Sequence, residues 1–336
     1  MASVRRPAAG YGVLLICLSL VLAGCGNDPH PRALRETRPD GSPWLVRYSY
    51  IPDSPRSLDP QFAYDQMSRR ILEPVIDCLL QYDPFKTDPY EVVPCLLARM
   101  PERVTNADGT VTYRCELKRG ILFHDDACFP GGRGREVVAE DVHFTFQRLC
   151  DPKVECPVSS VFAEYIPGMA EAYAAAKKSG DIFDYSQRLP GLEVVDSHRF
   201  NIHLKKPYPQ IIYWLAMHFT APVAREATLY YDGLEHPDGP AGKMVRRPTF
   251  RWHPVGTGPF RIHEDSEKDQ RFRLVRNESY RTTAFPTAGW PAEKDALITR
   301  SRARRCRCST RCRSPSSARR SPRSSSRGRA TSTTSA

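Results

Sequence analysis

The last 36 residues, Ser301–Ala336, contain no acidic residue, no lysine and no Leu, Ile, Val, Phe, Tyr or Trp. They hold 11 arginines, which equals the net charge of the whole chain, +11. The 300 residues before them carry 38 basic and 38 acidic side chains and have no net charge. A basic protein usually binds nucleic acid or an anionic surface. The neutral body gives that interpretation no support, and we expect no nucleic-acid partner for it.

Patterns that carry hydrolytic or metal chemistry are also missing. The nine histidines form no HExxH motif, and there is no Gly-x-Ser-x-Gly. His124-Asp125-Asp126 has no second histidine at ligand spacing, so we interpret it as a polar turn after a strand. Gly256-Thr-Gly-Pro259 is not followed by Gly-Lys-Ser/Thr, and its proline lacks an amide proton that a phosphate loop would use. The sequence therefore predicts a protein that is not an enzyme and has no cofactor and no metal site.

The N-terminus has the pattern of an export signal. Two arginines, Arg5 and Arg6, precede an apolar run over residues 13–23, which is too short to span a bilayer. Residues 22–25, Leu-Ala-Gly-Cys, then resemble the lipobox of bacterial lipoproteins, where the cysteine thiol is acylated and the peptide bond before it is cut. The alternative is an ordinary cleaved signal in which Cys25 is incidental.

The lipobox resemblance implies a membrane anchor. Residues 1–24 are then a lipoprotein signal peptide, and Cys25 is the lipidated N-terminus of a protein that faces the periplasm. Several acyl chains hold a protein durably to a bilayer. Gly26 and Asn27 lack the aspartate that retains many such lipoproteins at the inner membrane, which leaves the outer membrane open in a Gram-negative host.

The arginine-rich tail, residues 299–336, has three interpretations. Its composition cannot bury a core, so we expect disorder. It could be a nucleic-acid-binding arm, although that conflicts with export. It could be a metal tract, although the spacing of Cys306, Cys308 and Cys312 matches no usual zinc motif. We favour a shifted reading frame that starts between about Asp295 and Arg305, because one legal set of codons for residues 305–312 reads in another frame as Leu-Pro-Leu-Leu-Asp-Glu.

Six cysteines besides Cys25 lie in the body, and outside the cytoplasm they can pair. Cys150 and Cys156 bracket a short turn-like loop, Asp-Pro-Lys-Val-Glu, and are the candidate disulfide. The alternative is that all six are buried thiols that behave as small apolar residues. Cys115 fits that alternative, because it lies on the apolar side of an alternating strand.

The body mixes helices and strands that do not alternate strictly, which predicts a mixed α+β or α/β fold. Residues 25–43 are polar and contain proline, so we expect a flexible linker. Apolar periodicity predicts helices over Ser68–Tyr82, Glu140–Leu149 and Gln210–His218. Strands are predicted over Trp44–Tyr50, Val111–Lys118, Phe200–Leu204, Phe260–His263 and Arg271–Arg276, with a turn at Asn106–Gly109.

Four stretches in order resemble family 5 of the extracellular solute-binding proteins, the oligopeptide- and dipeptide-binding components of ABC importers. Ser57-Leu-Asp-Pro60 and the helix after it resemble the family's "LDP" segment. Residues 109–125 resemble a strand that ends in Leu-Arg-x-Gly-Val-x-Phe-His-Asp, and residues 139–148 resemble its "AEDV" helix. Residues 256–260 and 274–280 resemble its "GTGPY…ERNPDY" segment. Cys115, Leu122 and an insertion at 128–135 depart from the pattern.

The resemblance implies a two-lobe binding-protein fold of which this chain holds the first lobe and its inserted subdomain, over residues 44–298. It implies a substrate-binding lipoprotein that captures extracytoplasmic oligopeptides or dipeptides and delivers them to an ABC permease complex in the membrane. The loop from Ile51 to Asp65 would line the cleft. The ligand remains open among peptides, nickel chelates and sugars. A fragment without the second lobe would bind weakly or not at all. The rival classes are an exported metal-binding protein or enzyme, and a nucleic-acid-binding protein.

Overall fold

The computed structural model describes residues 33–37, 43–47, 53–180, 183–232, 249–263, 266 and 272–281. The predicted signal peptide, Cys25 and the tail at 299–336 lie outside these residues. The chain divides into two compact units, residues 1–52 and residues 53–336. Within the described residues, no helix has both the length and the apolar character needed to cross a bilayer.

Ten strands and six α-helices make up the described elements. In chain order the strands are β1 Ala33–Thr37, β2 Pro43–Arg47, β3 Leu80–Thr87, β4 Tyr90–Pro94, β5 Glu102–Thr105, β6 Val111–Glu116, β7 Leu192–Val194, β8 Arg199–Leu204, β9 Phe260–Ile262 and β10 Leu274–Arg276. The helices are α1 Gln66–Leu72, α2 Ala139–Cys150, α3 Ser159–Tyr165, α4 Met169–Ser179, α5 Ile211–Leu215 and α6 Arg225–Asp232. The mixed α/β class is confirmed.

The first unit contains an antiparallel hairpin, in which β1 pairs with β2 and Glu36 lies opposite Trp44. The strand predicted over Trp44–Tyr50 is confirmed for residues 44–47. The structure differs from the predicted linker over 25–43, because Ala33–Thr37 is a strand. A polar segment can be recruited into a hairpin because the pairing uses backbone groups, which every residue except proline supplies in full.

The second unit is built on a four-stranded antiparallel sheet with the strand order β5-β6-β8-β7. The predicted turn between β5 and β6 is confirmed, because the Gly109 amide donates to the Asn106 carbonyl at 3.0 Å. Gly109 has a φ of +84°, a conformation that favours glycine at the end of such a turn. Cys115 lies opposite Phe200 in the β6–β8 register, and both are buried. The predicted apolar faces of β6 and β8 therefore meet in one core.

Helix α2 is buried around almost its whole circumference. The predicted face of Val142, Phe146 and Leu149 is fully buried. Gln147 and Arg148 are buried as well, with exposed fractions of 3% and 1%. The amphipathic pattern does not predict this second buried face. It arises because the loops at 57–61 and 185–187 cover the side of the helix that faces away from the sheet.

The first predicted helix is too long. Its apolar residues are buried as predicted, but α1 ends at Leu72, and the chain turns at Pro74 into β3. Pro74 has no amide proton to donate to a helical carbonyl, so the helix ends before it, although Glu73 still has helical dihedral angles of φ −48° and ψ −42°. The helix predicted over 210–218 is also shorter, since α5 ends at Leu215. The hairpin of β9 and β10 is confirmed by their antiparallel pairing.

Candidate functional site

The Ser57–Asp65 loop holds its shape through short-range hydrogen bonds. The Ser57 hydroxyl accepts the Asp59 amide at 3.0 Å, and the Asp59 carboxylate accepts the Gln61 amide at 3.0 Å. Asp65 then caps α1 by accepting the Ser68 amide at 2.8 Å and the Ser68 hydroxyl at 2.6 Å. Partial burial opposes the charge of Asp65, yet these hydrogen bonds hold its pKa below the usual value. The segment Ser-Leu-Asp-Pro thus forms consecutive turns in which side-chain oxygens accept backbone amides.

A buried ion pair anchors this loop to α2. The Arg148 guanidinium donates through Nη2 to Asp59 Oδ2 at 2.6 Å and through Nη1 to Asp59 Oδ1 at 3.1 Å. It also donates to the Gln61 amide oxygen and lies over the Phe250 ring at 4.9 Å. Burial opposes the charge of Arg148, but Asp59 outweighs it and raises the pKa of the arginine. The arginine therefore stays charged and fixes the loop to two distant parts of the chain.

Three backbone carbonyls complete the attachment. The Leu58 amide donates to the Arg251 carbonyl at 2.6 Å, and the Gln61 side-chain amide donates to the Phe219 carbonyl at 3.4 Å. His218 Nε2 bonds the Ala63 carbonyl. Since a carbonyl can only accept, Nε2 carries the proton. Burial lowers the pKa of His218, which keeps the ring neutral.

The outer face of the loop is aromatic and exposed. Tyr64 has 56% of its surface exposed, and its ring lies edge-to-face with Phe62 at a centroid distance of 6.4 Å. Arg56 donates to the Tyr64 hydroxyl at 2.6 Å and lies 5.6 Å from the centre of that ring. The Arg251 guanidinium lies 5.4 Å from the centre of the Phe62 ring. We call these four side chains the arginine–tyrosine surface.

The Gly256-Thr-Gly-Pro segment makes close backbone contacts and enters a strand. A Cβ atom on Gly256 would lie 2.2 Å from the Val75 carbonyl oxygen, and one on Gly258 would lie 2.6 Å from the Pro74 oxygen. The Gly258 amide donates to the Val75 carbonyl at 2.9 Å. The glycines therefore permit the close approach of two backbone segments, which confirms the interpretation as a strand entry.

The polar turn at His124-Asp125-Asp126 is held by protein groups. His124 lies between the carbonyls of Asp125 and Pro254, at 3.2 and 3.3 Å. Asp126 accepts the Tyr231 hydroxyl at 2.9 and 3.0 Å. Residues 124–126 are irregular, and a turn begins at Asp126, whose carbonyl accepts the Phe129 amide at 3.1 Å. Across the part of the chain that the structure describes, no group of three His, Cys, Asp or Glu side chains could hold a metal ion.

The cysteines of the body are thiols in the structure. Cys150 and Cys156, the candidate disulfide, are both free thiols, as in the alternative interpretation of the body cysteines. Burial raises the pKa of Cys150 to about 12 and that of Cys156 to about 11, so neither forms the reactive thiolate readily near neutral pH. Cys115 is buried on the apolar face of β6, as predicted.

A concave region lies elsewhere in this unit, between α2, α6 and the loop at 185–188. Its cavity measures about 480 Å³. The charged side chains on its wall are mostly paired with each other. Arg135 bonds Asp141 at 2.7 Å and Glu226 at 2.6 Å, and Arg188 bonds Glu140 at 2.7 Å. Paired charges leave few free donors or acceptors, so the arginine–tyrosine surface is the better candidate site.

A family profile matches the chain over residues 91–297, which is more than half of its length, and its description is "Bacterial extracellular solute-binding proteins, family 5 Middle". The chain belongs to this family. The resemblance inferred from four sequence segments is thereby confirmed. The loop at 57–65 lies before the matched range, and it is tied into it by the Arg148–Asp59 pair.

Relatives of this family 5 protein include "Peptide transport periplasmic protein SapA" of Salmonella typhimurium, 24% identical over 80% of this chain and 43% of that protein. "Di/tripeptide-binding protein 4" of Pseudomonas aeruginosa is 27% identical over 82% of this chain and 43% of that protein. The chain thus spans less than half the length of these relatives. The substrate-binding domain of an oligopeptide ABC transporter from Bacillus anthracis aligns with a TM-score of 0.50 and 17% identity, over 69% of this chain and 38% of that one. This similarity shows the shared fold.

Sequence reasoning placed the candidate loop but missed what supports it. The resemblance indicated residues 51–65, without a particular side chain. Arg148 was counted only as part of the "AEDV" helix, and Phe250 and Arg251 were not considered. One signal was available, since an arginine in a helix whose other residues are mostly apolar needs an acidic partner when it is buried. The sequence could not say which of the 38 acidic residues that partner is.

Proposed function

We propose that this family 5 protein is the substrate-binding component of a peptide-type ABC importer and captures extracytoplasmic oligopeptides or dipeptides for a membrane permease. The observation that carries the proposal is the family match over residues 91–297. It is supported by relatives whose names describe peptide transport and di- or tripeptide binding. The protein binds and releases its ligand without catalysis.

The anchored loop supports a binding role. In a binding protein, side chains that meet the ligand are best held by rigid neighbours, because ordering a mobile loop costs affinity. The loop is held by the Arg148–Asp59 pair, by the Leu58 amide and by His218. Tyr64 of the same loop remains exposed. An extended peptide would be met there by main-chain groups and by aromatic contact.

Titration of the full chain, solubilised in mild detergent, with peptides of two to five residues tests the proposal. We expect saturable binding that is weaker than that of a whole relative, because the chain matches 43% of the relative's length. Free amino acids and sugars serve as control ligands. Absence of any peptide binding by calorimetry at millimolar peptide, or equal binding of the control sugars, would refute peptide capture by this chain.

We further propose that Cys25 anchors the protein to a membrane by lipidation. The chain offers a matched control, since Cys17 lies inside the apolar run of the same segment. Cys25→Ser is expected to leave an uncleaved precursor without lipid, whereas Cys17→Ser is processed normally. Mass spectrometry of the N-terminal peptide reads both. A wild-type N-terminus that begins at another residue contradicts the proposal.

The arginine-rich tail is proposed to result from a shifted reading frame. Its support is the abrupt change of composition after about residue 300, where acidic and large apolar residues stop. Nucleotide sequencing from the codon for Trp290 onward tests it. An alternative frame that continues with apolar and mixed-charge sequence supports the shift. A single intact frame with no such alternative would contradict it.

A further inference from the structure

Two arginines of the arginine–tyrosine surface have no acidic partner among the described residues. Several other cations of the described body have acidic partners, including Arg135 with Asp141, Arg148 with Asp59 and Arg281 with Asp77. Arg56 contacts Tyr64, and Arg251 contacts Phe62, in each case through the aromatic ring. These two cations therefore lie on one pair of aromatic rings with charge that no acidic side chain offsets, which makes the surface suitable for an anion.

The geometry of these arginines suits a carboxylate. A guanidinium that lies on an aromatic ring is held in orientation while the donors at its edge stay available for a bidentate carboxylate. Arg56 uses Nη1 for the Tyr64 hydroxyl, at 2.6 Å, and has further N–H donors. Because the rings of Phe62 and Tyr64 lie 6.4 Å apart, both cations border one aromatic surface. That surface offers apolar contact to a side chain next to the carboxylate.

The surface is also preorganised. Leu58 and Ala63, on either side of the loop, are fully buried, whereas Tyr64 is 56% exposed. The Leu58 amide donates to the Arg251 carbonyl at 2.6 Å, so the backbone of Arg251 is bonded to the loop two residues after Arg56. A rigid exposed site avoids the entropic cost of ordering a loop when a ligand binds.

We propose that Arg56 and Arg251, with the rings of Tyr64 and Phe62, form a subsite for a carboxylate group of a peptidic ligand that carries an aromatic or large apolar side chain beside it. This assignment rests on the proposed peptide-binding function, because it takes the bound solute to be a peptide. If the subsite exists, the loop binds a carboxylic acid more tightly than the corresponding amide.

The test compares an acid with its amide on the full chain in mild detergent. Gly-Phe is expected to bind about tenfold more tightly than Gly-Phe amide, as for a charge-assisted hydrogen bond. Arg56→Gln and Arg251→Gln should each weaken Gly-Phe binding about fivefold and remove most of the preference. Arg114→Gln is the matched control, because Arg114 is an exposed cation on β6, and it should change neither value.

Two further probes separate the outcomes. The first, Gly-Glu amide, has a side-chain carboxylate but no C-terminal carboxylate. If Gly-Phe binds more tightly than Gly-Glu amide, the subsite is assigned to a C-terminal carboxylate, and if the two bind equally, it is assigned to carboxylates in general. The second probe, 3-phenylpropionate, has a ring and a carboxylate but no peptide bond. If it binds with the same arginine dependence while no peptide binds, the subsite stands and the peptide function fails.

Three results would overturn the subsite. Equal binding of Gly-Phe and its amide is one, and it leaves peptide binding intact. Effects of Arg56→Gln and Arg251→Gln no larger than that of Arg114→Gln are the second. The third is no binding of any probe, which also refutes peptide capture. Thermal unfolding of each variant confirms that the fold is retained, as expected for exposed or half-buried arginines.

Discussion

The Arg148–Asp59 pair should be the most sensitive point of the second unit. Asp59→Asn removes the charge that compensates a guanidinium whose residue is only 1% exposed. Breaking a buried ion pair by neutralising one partner costs about 3–5 kcal/mol, because the remaining charge is left uncompensated. For a domain of this size each kcal/mol lowers Tm by about 2–4 °C. We therefore expect Tm to fall by about 10 °C.

Two comparisons give this prediction its controls. Glu140→Gln breaks the Arg188–Glu140 pair, whose side chains are 64% and 50% exposed, and should cost under about 1 kcal/mol. The double variant Asp59→Leu/Arg148→Met replaces the buried pair with apolar side chains. It should be more stable than Asp59→Asn alone, because no isolated buried charge remains.

Urea unfolding followed by far-UV circular dichroism measures these free energies, with thermal unfolding as a second readout. The slope of the urea transition must stay constant for the comparison to hold. A loss for Asp59→Asn that does not exceed the loss for Glu140→Gln would refute the reasoning, since the pair would then behave as a surface ion pair. A double variant less stable than Asp59→Asn would refute the account of the buried charge.

Four other substitutions have definite expected outcomes. Gly256→Ala should cost more than about 2 kcal/mol in urea unfolding, because its Cβ would overlap the Val75 carbonyl oxygen, and a neutral effect would contradict the close contact. Burial lowers the pKa of His218, so its contribution to stability is present above the unfolded pKa of about 6.5 and is lost as pH falls. His218→Gln should flatten the decline in urea midpoint below about pH 6.5, and an unchanged pH profile would contradict this. Asp141→Asn should cost about 2–3 kcal/mol and Glu226→Gln about 1 kcal/mol, because the Asp141 side chain is 3% exposed and that of Glu226 is 36% exposed; the opposite order would contradict the ranking.

Most of the correct fold predictions came from alternating strand patterns and from residues typical of turns. The β5–β6 hairpin follows from Asn-Ala-Asp-Gly between alternating segments, and the predicted faces of β6 and β8 meet in the core. The first helix was overextended because apolar periodicity continues past Pro74, where the backbone cannot stay helical. The strands β3 and β4 were not predicted, since part of β3 repeats the apolar spacing of that helix. Local patterns therefore identified the elements better than their ends.

The candidate site was predictable only as a segment. The resemblance indicated residues 51–65, and the fold shows which of its side chains are buried and which are exposed. Ser57 and Asp59 are buried and hold the loop, whereas Arg56 and Tyr64 face solvent. The candidate disulfide shows that spacing along the chain does not decide pairing. Two cysteines six residues apart are close along the chain, yet both Cys150 and Cys156 are thiols in the structure.

By itself the sequence determined the family, the mixed α/β class, the neutral charge of the body and the positions of β6, β8 and the β9–β10 hairpin. These properties depend on composition and short-range spacing, which a single chain displays directly. Only the tertiary structure paired Arg148 with Asp59, 89 residues apart, and brought Arg251 to Phe62. Such pairings depend on how the chain folds back on itself. A charged or aromatic residue does not indicate its distant partner in the sequence, and a partner is required only when the fold buries the charge.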